Sequence, residues 1–227
     1  MNKIKIFPLS TNVLTIEFGN EISGTLNRRA INLSRYFEKN RFQGFIETVP
    51  AYASVTIFYD VYKVKKNFPE FATAFDAVKN LVEIALENLS EIADFESRLV
   101  KIPVSFAQEF ALDLEFVAET NNLTTIEVIK IFTAQTYRVF MLGFLPGFAY
   151  LGEIDERISA PRKSSPRLKV PKGSVGIAGR QTGIYPLESP GGWQIIGRTD
   201  LEMFDFKKEN PSLLQVGDLV KFYESSR

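Results

Sequence analysis

From Tyr137 onward the chain reads as a row of short strand-like runs, YRVFMLGF, VGIAG, WQIIGRT, LEMFDF and DLVKFYE, separated by segments dense in glycine and proline. No apolar 3.6-residue period of any length survives there, which leaves short strands joined by tight corners. Short strands expose unpaired edges unless the sheet curls until it meets itself. The stretch therefore predicts a closed or nearly closed β-barrel.

The preceding residues follow a different pattern. IKIFPL and VLTIEFG are two short β-like runs separated by the turn STN. In EISGTLNRRAINLSRYFEKN the apolar residues Ile22, Leu26, Ile31, Leu33, Tyr36 and Phe37 recur near helical spacing, with Ser23 placed to cap. FIETVPAYASVTIFYD reads as β structure, with Val55, Ile57 and Tyr59 alternating and Pro50 marking its start. FATAFDAVKNLVEIALENL presents one apolar stripe of Phe71, Phe75, Val78, Leu81, Val82 and Leu86, which reads as core packing. RLVKIPVSF closes this half as another strand. The order β-β-α-β-α-β suits a small antiparallel sheet backed by two helices. Two short helices follow, LDLEFVAETN and TTIEVIKIFTAQ, the second with Thr124 or Thr125 as its cap and Glu127 in its first turn. The expectation is an α+β protein of two domains, 1–95 and 96–227, the second a barrel with short helices at its start.

Composition narrows the chemistry. The 27 basic and 27 acidic residues cancel, which removes the electrostatic case for a nucleic-acid or anionic-membrane partner. No apolar run is long enough to span a bilayer, and MNKIKIFPLSTNVLTIEFG alternates like a strand and not like a signal-peptide core, so a cytoplasmic location is expected. Zero cysteines fit that compartment and exclude disulfides, thiolate nucleophiles and Cys-based metal sites. Zero histidines exclude imidazole bases and His metal ligands, so no metal site is expected, and proton transfer near neutrality falls to carboxylates, lysine, tyrosine, a cofactor or a partner.

Three segments carry the candidate site. GFLPGFAYLG bends sharply around Pro146 and Gly147 beside Phe144, Phe148 and Tyr150, either as a structural bulge or as a substrate-facing loop. APRKSSPRLKVPKGS holds Arg162 and Arg167 in a proline-stiffened loop, where a guanidinium can grip a carboxylate or phosphate with two parallel hydrogen bonds or simply remain solvated. GRQTGIYPLESPGGWQIIGRT gathers Gln181, Thr182, Tyr185 and Trp193 among Gly183, Pro190, Gly191 and Gly192, the inventory of an apolar pocket with few polar groups; a packed barrel corner is the rival reading. The P-loop spacing is absent. The carboxylates Glu153, Asp155, Glu156 and Glu188 show no spacing that marks an acid and base pair.

These segments, with YRVFMLGFLPGFAYLGEID and the preceding PVSF and LDLEFVAETNNLTTIEVIKIF, resemble the family that includes the B component of 5-oxoprolinase, the Kip-type inhibitor of a sporulation histidine kinase, and allophanate hydrolase subunit 1. The resemblance runs along nearly the whole chain. It implies an N-terminal α+β domain followed by a cyclophilin-like β-barrel. It further implies work with a Kip-antagonist-like C component and a LamB/YcsF-like A component, opening the lactam of 5-oxoproline to glutamate with ATP and Mg in the assembled complex. The alternatives it carries are an inhibitor docking on a histidine kinase and a subunit of a urea- or allophanate-degrading hydrolase. Its motif maps onto Pro146, Gly147, Arg162, Arg167, Gln181, Thr182, Tyr185, Pro190, Gly191, Gly192, Trp193 and Arg198 as pocket or interface residues. The expected roles are a substrate carboxylate or transferred phosphate on Arg162 or Arg167, the activated amide on Gln181 and Thr182, and water exclusion by Phe148 and Trp193. Catalytic residues are not assigned. The chain departs from the family's pattern at Ser105, Phe106, Ala107, Gln108 and Ala111, ahead of Asp113 and Leu114, and at Phe132, where relatives usually carry histidine.

Overall fold

The computed structural model describes residues 4–88 and 97–225. They form two compact units, one on each side of the gap between those spans. The boundary expected at 95/96 and the last residue of the LENL segment lie outside the described residues.

In the first unit, β1 (Lys5–Ser10), β2 (Val13–Glu17), β3 (Phe45–Pro50) and β4 (Ser54–Tyr59) make an antiparallel sheet in the order β1-β2-β4-β3. The alternation expected in β4 is real: Val55, Ile57 and Tyr59 are fully buried while Ser54, Thr56 and Phe58 are only half-buried. FIETVPAYASVTIFYD is a hairpin of two strands, and Pro50 ends the first of them, paired with Val55. Helix α1 (Gly24–Lys39) starts at Ser23, whose hydroxyl accepts the Leu26 N–H. A helix that the pattern did not predict, α2 (Val61–Asn67), buries Val64 alone. Helix α3 (Ala74–Glu87) opens with a reciprocal capping box between Thr73 and Asp76. Alanines share its inner face: Ala74, Ala77 and Ala85 are buried with Val78 and Val82, and the expected Phe71, Phe75, Leu81 and Leu86 pack around them partly buried.

In the second unit, β5 (Leu99–Val104) lies parallel to β13 (Leu219–Glu224) over six register pairs, so RLVKIPVSF belongs to the barrel and not to the first half as expected. Between them come α4 (Leu114–Thr120), α5 (Thr125–Ala134), β6 (Tyr137–Leu142), β7 (Ala149–Gly152), β8 (Arg167–Val170), β9 (Ser174–Ala178), β10 (Gln181–Ile184), β11 (Ser189–Gly191) and β12 (Gln194–Arg198). Seven strands form one sheet in the order β12-β9-β10-β7-β6-β13-β5. Its outer strands meet just past β5, where Ser105 and Arg198 exchange backbone hydrogen bonds of 2.8 and 2.9 Å, so the barrel is nearly closed. A two-stranded sheet of β8 and β11 stands apart. LEMFDF is not a strand; Phe204 makes only an isolated bridge to Ser212.

The barrel interior holds Val139, Leu151, Val175, Ile177, Ile196 and Phe222, and α4 and α5 cover it with Leu114, Val117, Val128 and Phe132. Thr124 caps α5 and Glu127 closes the box onto it. Phe132 is fully buried, stacked on Phe222 at 4.9 Å and beside Tyr137 at 5.3 Å. The position to which the family resemblance assigns histidine is thus filled by an apolar ring inside the core. No helix among the described residues is long and apolar enough to cross a membrane.

Candidate functional site

A cleft of about 220 Å³ opens beside β7 and β11, lined by Phe144, Phe148, Tyr150, Arg162, Tyr185 and Trp193, with Pro166 and the Pro190–Gly192 turn on its edge. Phe148 is the hub. It meets Phe144 at 5.5 Å, Tyr150 at 4.8 Å, Tyr185 at 5.4 Å and Trp193 at 5.6 Å, every contact edge-to-face. This geometry suits the ring quadrupoles and keeps the rings from stacking shut. Two glycines make it fit. A methyl group on Gly183 would press on the Ala149 carbonyl oxygen and the Phe148 ring, and one on Gly191 would collide with the Tyr185 hydroxyl.

Arg162 is the cleft's cation. It is exposed, its guanidinium carbon stands 5.9 Å from the Trp193 ring centre, and it makes no ion pair with a described residue. The chain on either side of it is tied down: Gln194 donates to the Pro161 carbonyl at 2.9 Å and the Lys163 N–H to the Gly192 carbonyl at 2.7 Å. The segments that carry Arg162 and Trp193 are therefore tied directly to each other.

Arg167 has another task. Its two terminal nitrogens grip Asp113 at 2.8 and 2.7 Å, and Lys163 reaches the same carboxylate at 3.3 Å. Asp113 also accepts the Ile195 N–H at 2.7 Å and returns its own N–H to the Ile195 carbonyl at 2.7 Å. Burial alone would raise the Asp113 pKa. The Arg167 hydrogen bonds, the Ile195 N–H and the charges of Arg167 and Lys163 outweigh it and hold the carboxyl below its ordinary range. Asp113 thus clamps the basic loop to β12 at the point where that loop presents Arg162. As one of two carboxylates in the LDLEF segment, it has no local signal of this role.

Phe148, Tyr185, Pro190, Gly191, Gly192 and Trp193 come together with Arg162 in the cleft. The other expected residues do not line it. Thr182 is fully buried in β10 and donates its hydroxyl to the Gly176 carbonyl at 2.9 Å, so it is spent on the sheet. Gln181 opens the same strand, opposite Ala178 and Gly152. Arg198 lines a different cavity, at the barrel seam. Pro146 and Gly147 turn the chain ahead of Phe148, Gly147 at a φ of +83° hard against Met203 and Phe204. Tyr150 and Phe144 line the cleft as well, and Phe144 holds a φ of +69° that is uncommon for a bulky side chain.

Burial raises the Tyr185 pKa; a hydrogen bond with the Trp193 backbone and the positive charges of Arg162 and Arg167 offset part of the rise, and Tyr150 adds to it. The phenol therefore stays protonated at neutral pH. Among the described residues no carboxylate lines the cleft, and no group of three or more acidic side chains is arranged to hold a metal.

The fold and cleft define a class: an α+β chain whose nearly closed barrel carries an aromatic cleft with one cation on its lining. The chain belongs to the carboxyltransferase domain family, subdomain C and D, whose model matches residues 4–214. It is 47% identical over 225 residues to the B component of the 5-oxoprolinase of Bacillus subtilis, covering 99% of this chain and 94% of that one. The crystal structure of a conserved protein from Pyrococcus horikoshii matches with a TM-score of 0.55 at 43% identity, over 97% of both chains. A urea amidolyase from Lachancea kluyveri is more distant, 27% identical over 94% of this chain and 13% of its own length.

Proposed function

We propose that this chain is the B component of an ATP-dependent 5-oxoprolinase, opening 5-oxoproline to glutamate in the cytoplasm together with a LamB/YcsF-like A component and a Kip-antagonist-like C component. The observation that carries the reading is the aromatic cleft with its one cation, which pairs with no described residue, in a chain so similar to the B component of a known 5-oxoprolinase. 5-Oxoproline is a five-membered lactam bearing one carboxylate. Arg162 takes the carboxylate in a charge-assisted pair. The ring lies against Trp193 and Phe148, and Phe144 at the rim excludes water.

The rest of the reaction falls outside this cleft. Arg167 is held by Asp113 and Thr182 by Gly176, and neither lines the cleft. The cleft offers no general base at neutral pH, and nucleotide and Mg are assigned to the other components of the complex. The chain's own share is to bind, orient and shelter the lactam. The test is the purified chain mixed with its A and C partners, 5-oxoproline and ATP, with glutamate measured over time. Release of glutamate that needs all three components supports the assignment; no glutamate from the full mixture overturns it.

A further inference from the structure

A second cavity lies at the barrel seam. It measures about 400 Å³ and is lined by Ser105, Phe110, Arg198, Thr199, Asp200 and Tyr223, among others. The Arg198 backbone closes the barrel, but its side chain makes no ion pair with a described residue, and its Nε is buried without a hydrogen-bond partner. A charged donor stripped of water and left without an acceptor is costly, and a bound acceptor would recover that cost. The Phe110 ring, 5.3 Å from the guanidinium carbon, holds the fork in place. The Thr199 hydroxyl accepts the Leu201 N–H and the Ser105 hydroxyl accepts the Ala107 N–H, which leaves both hydroxyl protons free to donate.

Asp200 decides the ligand class. It is exposed, makes no ion pair with a described residue, and lines the same cavity two residues from Arg198. A bare anion gains from Arg198 and is repelled by Asp200; a bare cation meets the reverse. A molecule with both charges satisfies both. We propose that the seam cavity binds a free α-amino acid as its zwitterion, with the carboxylate on Arg198 and the Ser105 and Thr199 hydroxyls and the ammonium on Asp200. The contrast with the aromatic cleft is chemical. A lactam nitrogen is a neutral amide, and it becomes an ammonium only once the ring C–N bond is broken and water has been added. The choice of glutamate as probe rests on the proposed lactam opening; the site itself does not.

The experiment is isothermal titration of the purified chain, without its partners, with L-glutamate, with glutarate, which lacks the ammonium, and with inorganic phosphate. Glutamate is expected to bind, and Arg198→Lys and Asp200→Asn each to weaken it by about tenfold or more, the loss of one charged hydrogen bond. Asp200 is exposed, so its variant tests the site without a folding penalty. Glutarate is expected to bind weakly and to gain affinity on Asp200→Asn, which removes the carboxylate that repels it. No binding of glutamate at millimolar concentration, equal binding of glutarate, stronger binding of phosphate, or displacement of glutamate by 5-oxoproline would each overturn the proposal. None of these results bears on glutamate release by the three-component mixture, so the two readings fail separately.

Discussion

The barrel unit holds two aromatic clusters built on opposite plans. Phe132, Tyr137 and Phe222 are fully buried, with Phe132 and Phe222 stacked nearly parallel and the Tyr137 hydroxyl donating to the Phe132 carbonyl at 2.7 Å. Phe144, Phe148, Tyr150, Tyr185 and Trp193 meet edge-on, and a charged Arg162 stands over the indole. One cluster uses its ring faces on itself and stabilises the fold. The other leaves a concavity beside its rings, which is what a ligand can use.

The sharpest way to break this contrast is Phe222→Ala, expected to cost about 3–5 kcal/mol in urea unfolding. Phe144→Ala at the cleft rim should cost far less; equal losses would mean that the cleft is merely more core. Next is Asp113→Asn, which leaves Arg167 and Lys163 without their carboxylate and is expected to cost about 3 kcal/mol by the same measurement. Its pH signature has a fixed sign. The folded Asp113 pKa is depressed, so its contribution is complete above about pH 4 and is lost as the pH falls through the depressed value. The variant should lose this acid limb while its neutral-pH stability is already reduced. Arg162→Gln should raise the KM for 5-oxoproline in the assembled complex by about tenfold with the unfolding midpoint unchanged. The binding step can be followed by fluorescence, since Trp193 is the only tryptophan. The smallest effect is Phe144→Gly, which releases a left-handed backbone and should stabilise by up to about 1 kcal/mol while weakening 5-oxoproline binding.

Much of the architecture was legible because it is written in local periods. The alternation of β4, the Ser23 and Thr124 caps and four of the five Gly/Pro-punctuated runs appear in the structure. What was hidden has physical reasons. AYLG and QTGI are strands only four residues long, each containing a glycine and set among further Gly/Pro turns, so β7 and β10 read as loop. Helix α2 spans only seven residues and buries one side chain, too little for a period to show. LEMFDF has a strand's composition, but its strand pairing is a single isolated bridge. At the site, the basic loop offered two equivalent arginines. Which one stays free depends on Asp113, 54 residues from Arg167 in sequence and beyond the reach of any local pattern.

The parallel pairing of β5 with β13 also governs when the barrel can exist. Arg98 and Asp218, at the head of that pairing, are joined across 120 residues of chain. During synthesis β5 emerges early and has no neighbour on that side until β13 has left the ribosome, and contacts this distant in sequence form slowly. In the interval the inner faces of β5 and β6 are open to water, an assembly delay in which chaperones would find their target.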